Sequence, residues 1–303
     1  MRNGLRIAAV VFAAAGLMTP VGAQGAPAVP STPTHGAHRP SAARVVPVPG
    51  TVNARDVGGY RTVDGKTTRW GVLYRTESLS NLPPDGVTAL AGLGLGSAID
   101  LRTAPEIQAD GPDRLPAGVT TVPLAMDDNS LFAFIGQVVR SKDPAYQQAQ
   151  LGDGKAAARM RGLYRGFVTN PANRAALGTA IKHVAATPLP VLFHCSAGKD
   201  RTGVLADTIL RAVGVPASTS EGDYLLSNEL RAATDKALRD QVKAAGYMEN
   251  PDLLIPLQRV ETAYLKAFRN QAVASYGSFG KFLSKGLGID ASTILQLRTK
   301  RVM

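Results

Sequence analysis

The 303-residue chain has one cysteine, Cys195, so no intramolecular disulfide framework is possible. Beyond the N-terminus no apolar run reaches the roughly 18 residues that a membrane span needs. Lys and Arg are scattered, without the clusters of about 5–8 basic residues that mark nucleic-acid surfaces. No spacing of His, Cys, Asp and Glu reads as a metal site, and no internal repeat is visible. No Arg-Arg pair opens the chain, which argues against a twin-arginine leader. No cysteine stands near its start, which excludes a lipid-anchored lipoprotein. What remains is a chain with 45% apolar residues, enough to bury a sizeable core and to exclude global disorder.

Arg2 and Arg6 precede a short apolar stretch, Ile7 to Met18, which Pro20 breaks before the small residues Val21-Gly22-Ala23. That order predicts a cleaved export signal over residues 1–23, because the stretch is too short for a comfortable anchor. The mature protein is then expected to be secreted or held in the cell envelope or periplasm, without stable membrane insertion. Cleavage removes Arg2 and Arg6 and lowers the formal net charge from +11 to +9. Residues 24–49, rich in Pro, Ala, Ser and Thr, read as a flexible spacer in which His35 and His38 are solvated.

The folded domain is expected over residues 50–303. Strand-like runs appear at Val72–Arg75, Ser97–Leu101, Val119–Leu124 and Val191–His194. Helical patterns cover Ala156–Val168 and Arg174–Ala185, and another helix starts after Arg201 and is stopped by Gly214. Alternating strands and helices predict an α/β fold, a central mostly parallel sheet flanked by helices. Residues 217–275 carry helical patterns at Glu221–Ala232 and Pro256–Phe268. They read either as ordinary helices packed on the sheet or as a lid over a site.

The chemistry is concentrated between residues 191 and 203. There an apolar strand, Val191-Leu192-Phe193-His194, runs into Cys195-Ser196-Ala197-Gly198-Lys199-Asp200, and Arg201-Thr202-Gly203 opens a helix. A loop that wraps into a helix N-terminus directs several N–H groups at one point and makes an anion site. Positive potential there, with Lys199 and Arg201 close by, depresses the Cys195 thiol and favours a nucleophilic thiolate. Arg201 lies six residues after Cys195, so its planar fork can curl back onto two oxygens of a phosphate. The small residues Ser196, Ala197 and Gly198 let the backbone approach the anion closely. Together these point to phosphoryl transfer through a cysteinyl-phosphate, with no metal and no cofactor. Thr202 is expected either to hydrogen-bond the sulfur or to cap the helix. His194 is expected to bond the loop backbone, since a thiolate needs no base. Arg55 and Asp56, before the Gly58-Gly59 turn, are read as a pair bracing the loop from behind.

The loop resembles the signature of Cys-based tyrosine and dual-specificity phosphatases, and its Gly-Lys-Asp-Arg-Thr-Gly form is most similar to a secreted bacterial subgroup. Four further stretches carry the resemblance: Asn53–Tyr60, Gly71–Thr76, Ile99–Arg102 and Asp223–Asn228. Ala54 departs from it, at a position where an aromatic is common. The resemblance implies a phosphotyrosine phosphatase, extending to phosphoserine, phosphothreonine and phosphoinositides, whose partners are a phosphorylated protein or a phosphoinositide. It implies that Asp200 is the general acid; the residues leave open Asp100, at a strand end, as the rival, and an Asp200 that merely pairs with Lys199 or a loop amide. It also implies that Lys199 adds a positive contact to the substrate, against the reading of a solvated lysine at the rim. Two other classes share parts of the pattern: a catalytically quiet phosphate-binding module, and a sulfurtransferase using Cys195.

Overall fold

Each of the four strand-like runs forms a strand, and a two-residue strand joins them at one edge. The computed structural model describes residues 44–303, so the expected leader and spacer up to residue 43 lie outside the described residues. The strands are β1 (Arg55–Asp56), β2 (Leu73–Thr76), β3 (Ser97–Asp100), β4 (Thr120–Pro123) and β5 (Val191–His194). They lie in the order β1-β2-β5-β3-β4, with β1 antiparallel to β2 and every other pairing parallel. The central strand is β5, and His194 pairs in register with Thr76 on one side and Asp100 on the other. The segments that leave β2, β3 and β5 therefore emerge together at the carboxyl edge, where ligands bind in sheets of this kind.

Strand periodicity divides the core in two. Leu73, Ile99, Val191 and Phe193 face a large cluster, while Tyr74, Ala98 and Leu192 face a smaller one with Val48, Leu79 and Leu90. Helices α1 (Pro84–Ala91) and α2 (Ala104–Asp110) follow β2 and β3. After β4 come α3 (Leu131–Ser141), α4 (Pro144–Leu151), α5 (Lys155–Thr169) and α6 (Pro171–Ala186). Then β5 leads into α7 (Arg201–Ala212), buried from Arg201 through Leu210 as befits a helix enclosed on all sides.

Residues 217–276 supply core rather than a separate layer. Helix α8 (Ala217–Ala244) packs on α7 and buries Tyr224, Leu238 and Val242. Helix α9 (Thr262–Tyr276) packs on α5 and buries Tyr264, Leu265 and Phe268. The helical pattern expected over Pro256–Phe268 is broken between Gln258 and Thr262. There the Asn228 amide bonds both peptide groups of Val260, each at 2.8 Å, and replaces the helical partners that the break removes. The chain closes with α10 (Ala291–Arg301).

The packed chain begins before the expected end of the spacer. Arg44 donates to the Gly58 carbonyl, and its guanidinium lies 3.6 Å from the Tyr60 ring centroid. Val45 bridges Arg55, and Val48 is buried in the smaller cluster. Burying one valine contributes about 1.5–3 kcal/mol, and each kcal/mol moves Tm by about 2–4 °C at this size. A chain starting at Gly50 is therefore expected to melt roughly 3–12 °C below one starting at Gln24 in a calorimetric comparison. Equal melting temperatures would contradict this packing.

Candidate active site

The loop from Cys195 to Asp200 is held by its carbonyls. That of Cys195 accepts from His194 Nδ1 at 3.2 Å, and that of Ser196 from the Ser78 N–H at 3.1 Å. The Ala197 carbonyl accepts from Asn53 Nδ2 at 3.2 Å and Arg231 Nη1 at 3.3 Å. The Gly198 carbonyl accepts from Asn53 Nδ2 at 3.1 Å and Arg75 Nη2 at 2.9 Å. With the carbonyls turned outward, the intervening N–H groups turn inward, toward the start of α7, and form an anion cradle. Gly198 has φ +66, and a Cβ there would sit 2.3 Å from the Thr76 carbonyl oxygen, so only glycine fits.

Cys195 lies beneath this cradle, 2% exposed. Burial pushes its thiol up, but the Arg201 charge and the Thr202 hydroxyl and N–H outweigh it, and the thiol lies below its ordinary value. The Thr202 hydroxyl is buried and has no nitrogen or oxygen partner among the described residues, consistent with its facing the sulfur. Thr202 is thus not the cap of α7; Asp200 holds that place.

Arg201 is itself gripped from the far side. Its Nη1 and Nη2 donate to Glu106 Oε2 at 2.7 Å and Oε1 at 2.5 Å, and Nη1 also reaches the Leu101 and Met126 carbonyls. Glu106 accepts from Ser196 Oγ at 2.6 Å as well, so one carboxylate ties α2 to the loop. Burial raises its carboxyl, but Arg201 more than offsets this and holds it at about 2. Removing one partner of such a buried pair costs about 3–5 kcal/mol.

His194 bonds Asp113 through Nε2 at 2.9 Å and the Cys195 carbonyl through Nδ1. Both ring nitrogens face acceptors, an arrangement that favours the doubly protonated ring. Burial alone would lower it, but Asp113 and then Asp100 lift it above its ordinary value. Asp100 and Asp113 share the Arg102 guanidinium, each with an oxygen 2.8 Å from Nη2. Asp100, Asp113 and His194 place one ligand atom each within 4.8 Å of one another, and these atoms are already engaged, both carboxylates by Arg102 and Asp113 also by His194. Asp100 also accepts from the Arg102 N–H and thereby anchors backbone.

Asp200 and Lys199 are buried and paired with each other, Nζ to Oδ2 at 2.6 Å, so Lys199 is not a solvated lysine at the rim. The other Asp200 oxygen accepts from the Tyr164 hydroxyl at 2.8 Å.

Arg55 and Asp56 do not pair. Adjacent residues of a strand point to opposite faces. Arg55 bonds Asp223, at 3.1 Å, and the Asn53 side chain, while Asp56 accepts from the Gly58 and Gly71 N–H groups. Arg55 thus reaches the loop through Asn53, and Asp56 pins the turn before β2.

Glu106 and Asp128 carry no signal of the site in the sequence, and Asn53 and Asp223 stand out there only as the first residues of two stretches that carry the resemblance. Glu106 sits in a Thr103–Glu106 capping box, a local signal that says nothing of Arg201, 95 residues away. Asp128, on the segment after β4, feels the charge of Arg201, and burial raises its carboxyl above the ordinary value. It is followed by Asn129 and Ser130, both in the left-handed region.

Alkylation of Cys195 by iodoacetamide, followed against pH, is expected to show a midpoint below the ordinary 9.0 of a thiol. Thr202→Val, which removes the hydroxyl and keeps the shape, is expected to move that midpoint up. An unmoved midpoint would contradict the hydroxyl's contact with the sulfur.

A sequence model of the tyrosine phosphatase family matches residues 46–302. The chain is 31% identical over 272 residues to the triple specificity protein phosphatase PtpB of Mycobacterium tuberculosis, covering 83% of this chain and 96% of that one. It is 30% identical over 250 residues to a provisionally named tyrosine-protein phosphatase of Cupriavidus necator, covering 80% of this chain and 84% of the relative. Among solved structures, P. aeruginosa TpbA is similar at a TM-score of 0.27 and 17% identity, covering 60% of this chain and 89% of that chain. With a match that spans nearly all the described residues, and relatives at this identity over most of its length, the chain belongs to the tyrosine phosphatase family.

Proposed function

We propose that the chain is an exported phosphomonoesterase that hydrolyses phosphotyrosine, and also phosphoserine, phosphothreonine and phosphoinositides, through a phosphate ester of Cys195. The observation that carries this reading is the loop whose carbonyls are bonded outward around a buried, depressed thiol. The breadth of substrate follows the triple specificity named for the mycobacterial relative. Export rests on the leader pattern of residues 1–23, and no described helix is long and apolar enough to cross a membrane.

In the first step the Cys195 sulfur attacks phosphorus in line, forming the S–P bond as the P–O bond to the leaving group breaks. The N–H groups of Ser196, Ala197, Gly198, Lys199 and Asp200, with the Arg201 guanidinium, hold the equatorial oxygens. Asp200 delivers a proton to the leaving oxygen, which matters most for an alkoxide and least for a phenolate. In the second step water attacks phosphorus, the S–P bond breaks, and the water proton returns to Asp200. The Thr202 hydroxyl stabilises the departing thiolate. Lys199 orients Asp200; His194, Asp100 and Arg55 support the loop from behind, and Asp56 pins the turn before β2.

Asp128 is the second reading for the proton donor. It is favoured by its raised carboxyl and by a place beside Arg201 on the segment whose Met126 carbonyl the guanidinium touches.

The test is phosphate release from a phosphoserine peptide and from an aryl phosphate, in chelator, by residues 24–303. Cys195→Ser and Arg201→Ala are expected to abolish both activities. Asp200→Asn is expected to lower kcat on the phosphoserine peptide by about 10²–10⁴-fold, the usual worth of a general acid. Loss confined to Asp128→Asn would move the acid to that residue. Inactivity of the folded, reduced parent, with release of sulfite from thiosulfate, would point instead to sulfur transfer.

A further inference from the structure

Two tyrosine hydroxyls are buried where phenylalanine would fill the same volume. Tyr164 of α5 and Tyr224 of α8 are both fully enclosed, and their hydroxyls lie 2.7 Å apart. Tyr164 Oη is also 2.8 Å from Asp200 Oδ1. Oδ1 accepts whether Asp200 is ionised or carries its proton on Oδ2, so the single Tyr164 proton goes to Asp200. The bond between the tyrosines is then donated by Tyr224. The result is a directed chain, Tyr224 to Tyr164 to Asp200, in which each bond polarises the next.

Asp200 stands at the N-cap of α7, yet its side chain makes no cap bond. An aspartate there ordinarily accepts from the first turn of its own helix. This one is turned away, clamped on Oδ1 by Tyr164 and on Oδ2 by Lys199. The clamp is rigid. The Tyr164 ring packs at 5.4 Å from Phe167 and 5.9 Å from Tyr264, centroid to centroid. A Cβ on Gly203, in the first turn of α7, would meet the Tyr224 ring at 2.8 Å, so helix and ring fit without slack. Without the Tyr164 hydroxyl, the cap of α7 is the nearest alternative for the Asp200 carboxylate. There it would accept from the first-turn N–H groups of α7, among them that of Thr202 on the Cys195 sulfur, and would no longer point at a leaving group.

We infer that Tyr164 is a positioning residue for the reaction: with Tyr224 behind it, its hydroxyl holds Oδ1 of Asp200 off the helix cap, so that the protonated carboxyl, its proton on Oδ2, stands in place for transfer to an alkoxide leaving group. The inference rests on Asp200 being the proton donor.

The test measures kcat and KM for Tyr164→Phe, Asp200→Asn and the double variant on a phosphoserine peptide and on p-nitrophenyl phosphate. Tyr164→Phe is expected to lower kcat on the peptide by at least about tenfold more than on the aryl phosphate, with the two KM values moving in parallel. In the Asp200→Asn background the same change is expected to add no further discrimination between substrates. Tyr224→Phe, which keeps Tyr164 in place, is expected to give the same pattern in smaller measure, and it carries the test if Tyr164→Phe does not fold. Equal losses on both substrates, or losses that add to those of Asp200→Asn, would reduce Tyr164 to a packing residue while leaving Asp200 its role. No substrate-selective loss in Asp200→Asn itself would overturn the reading of Asp200 and this inference with it.

Discussion

The peptide carbonyls of Cys195, Ser196, Ala197 and Gly198 are held outward by buried donors, and much of the molecule is arranged to supply those donors. Asn53 comes from the chain before β1, Arg75 from β2, Ser78 from the segment beyond it, and Arg231 from α8. Each is positioned by an element that also buries core. The cradle is therefore not a property of the loop alone. An isolated peptide of this sequence would have no reason to turn its N–H groups to one side, because water would satisfy the carbonyls in any direction.

Charge is the second organising feature. Arg55 and Arg75 converge on Asp223, which burial pushes up and the two guanidinium groups bring down to about 2. Arg201 faces Glu106, and His194 and Arg102 share Asp113. Taking such charges out of water is costly, and a hydrophobic replacement of the same shape is often as stable. Their retention around one loop fits a site that needs directed donors and a positive potential at its centre rather than stability alone. The thiol shows the balance: burial opposes the thiolate, and Arg201 with Thr202 overcomes it.

The strand-loop-helix unit was legible in the sequence because its signals are local. Val191–His194 is an apolar run of strand length, Ser196 to Gly198 are small, and Gly214 takes φ +98 where the helix pattern stops. The parallel sheet was likewise readable from alternating runs. What was not legible depends on residues far apart in sequence. Nothing near Glu106 announces a guanidinium 95 residues on, and Asp223 pairs with Arg55 across 168 residues. The expected pairing of Arg55 with Asp56 failed for a plain geometric reason, the alternation of side chains along a strand. Lys199 left two readings open, a contact to substrate or a solvated lysine at the rim, and its burial against the neighbouring Asp200 removes the second. The helix break at 259–261 needed Asn228, which no helical pattern could connect to it.

Covalent chemistry at Cys195 is the step on which the rest of the site depends. The most direct measurement is rapid acid quench during turnover of an aryl phosphate, followed by peptide mapping by mass spectrometry. The expected result is one phosphoryl group on the peptide containing Cys195, attached through sulfur and absent once the aryl phosphate is consumed. Phosphate release with Cys195 unmodified, or a phosphoryl group trapped on another side chain such as His194, would contradict it.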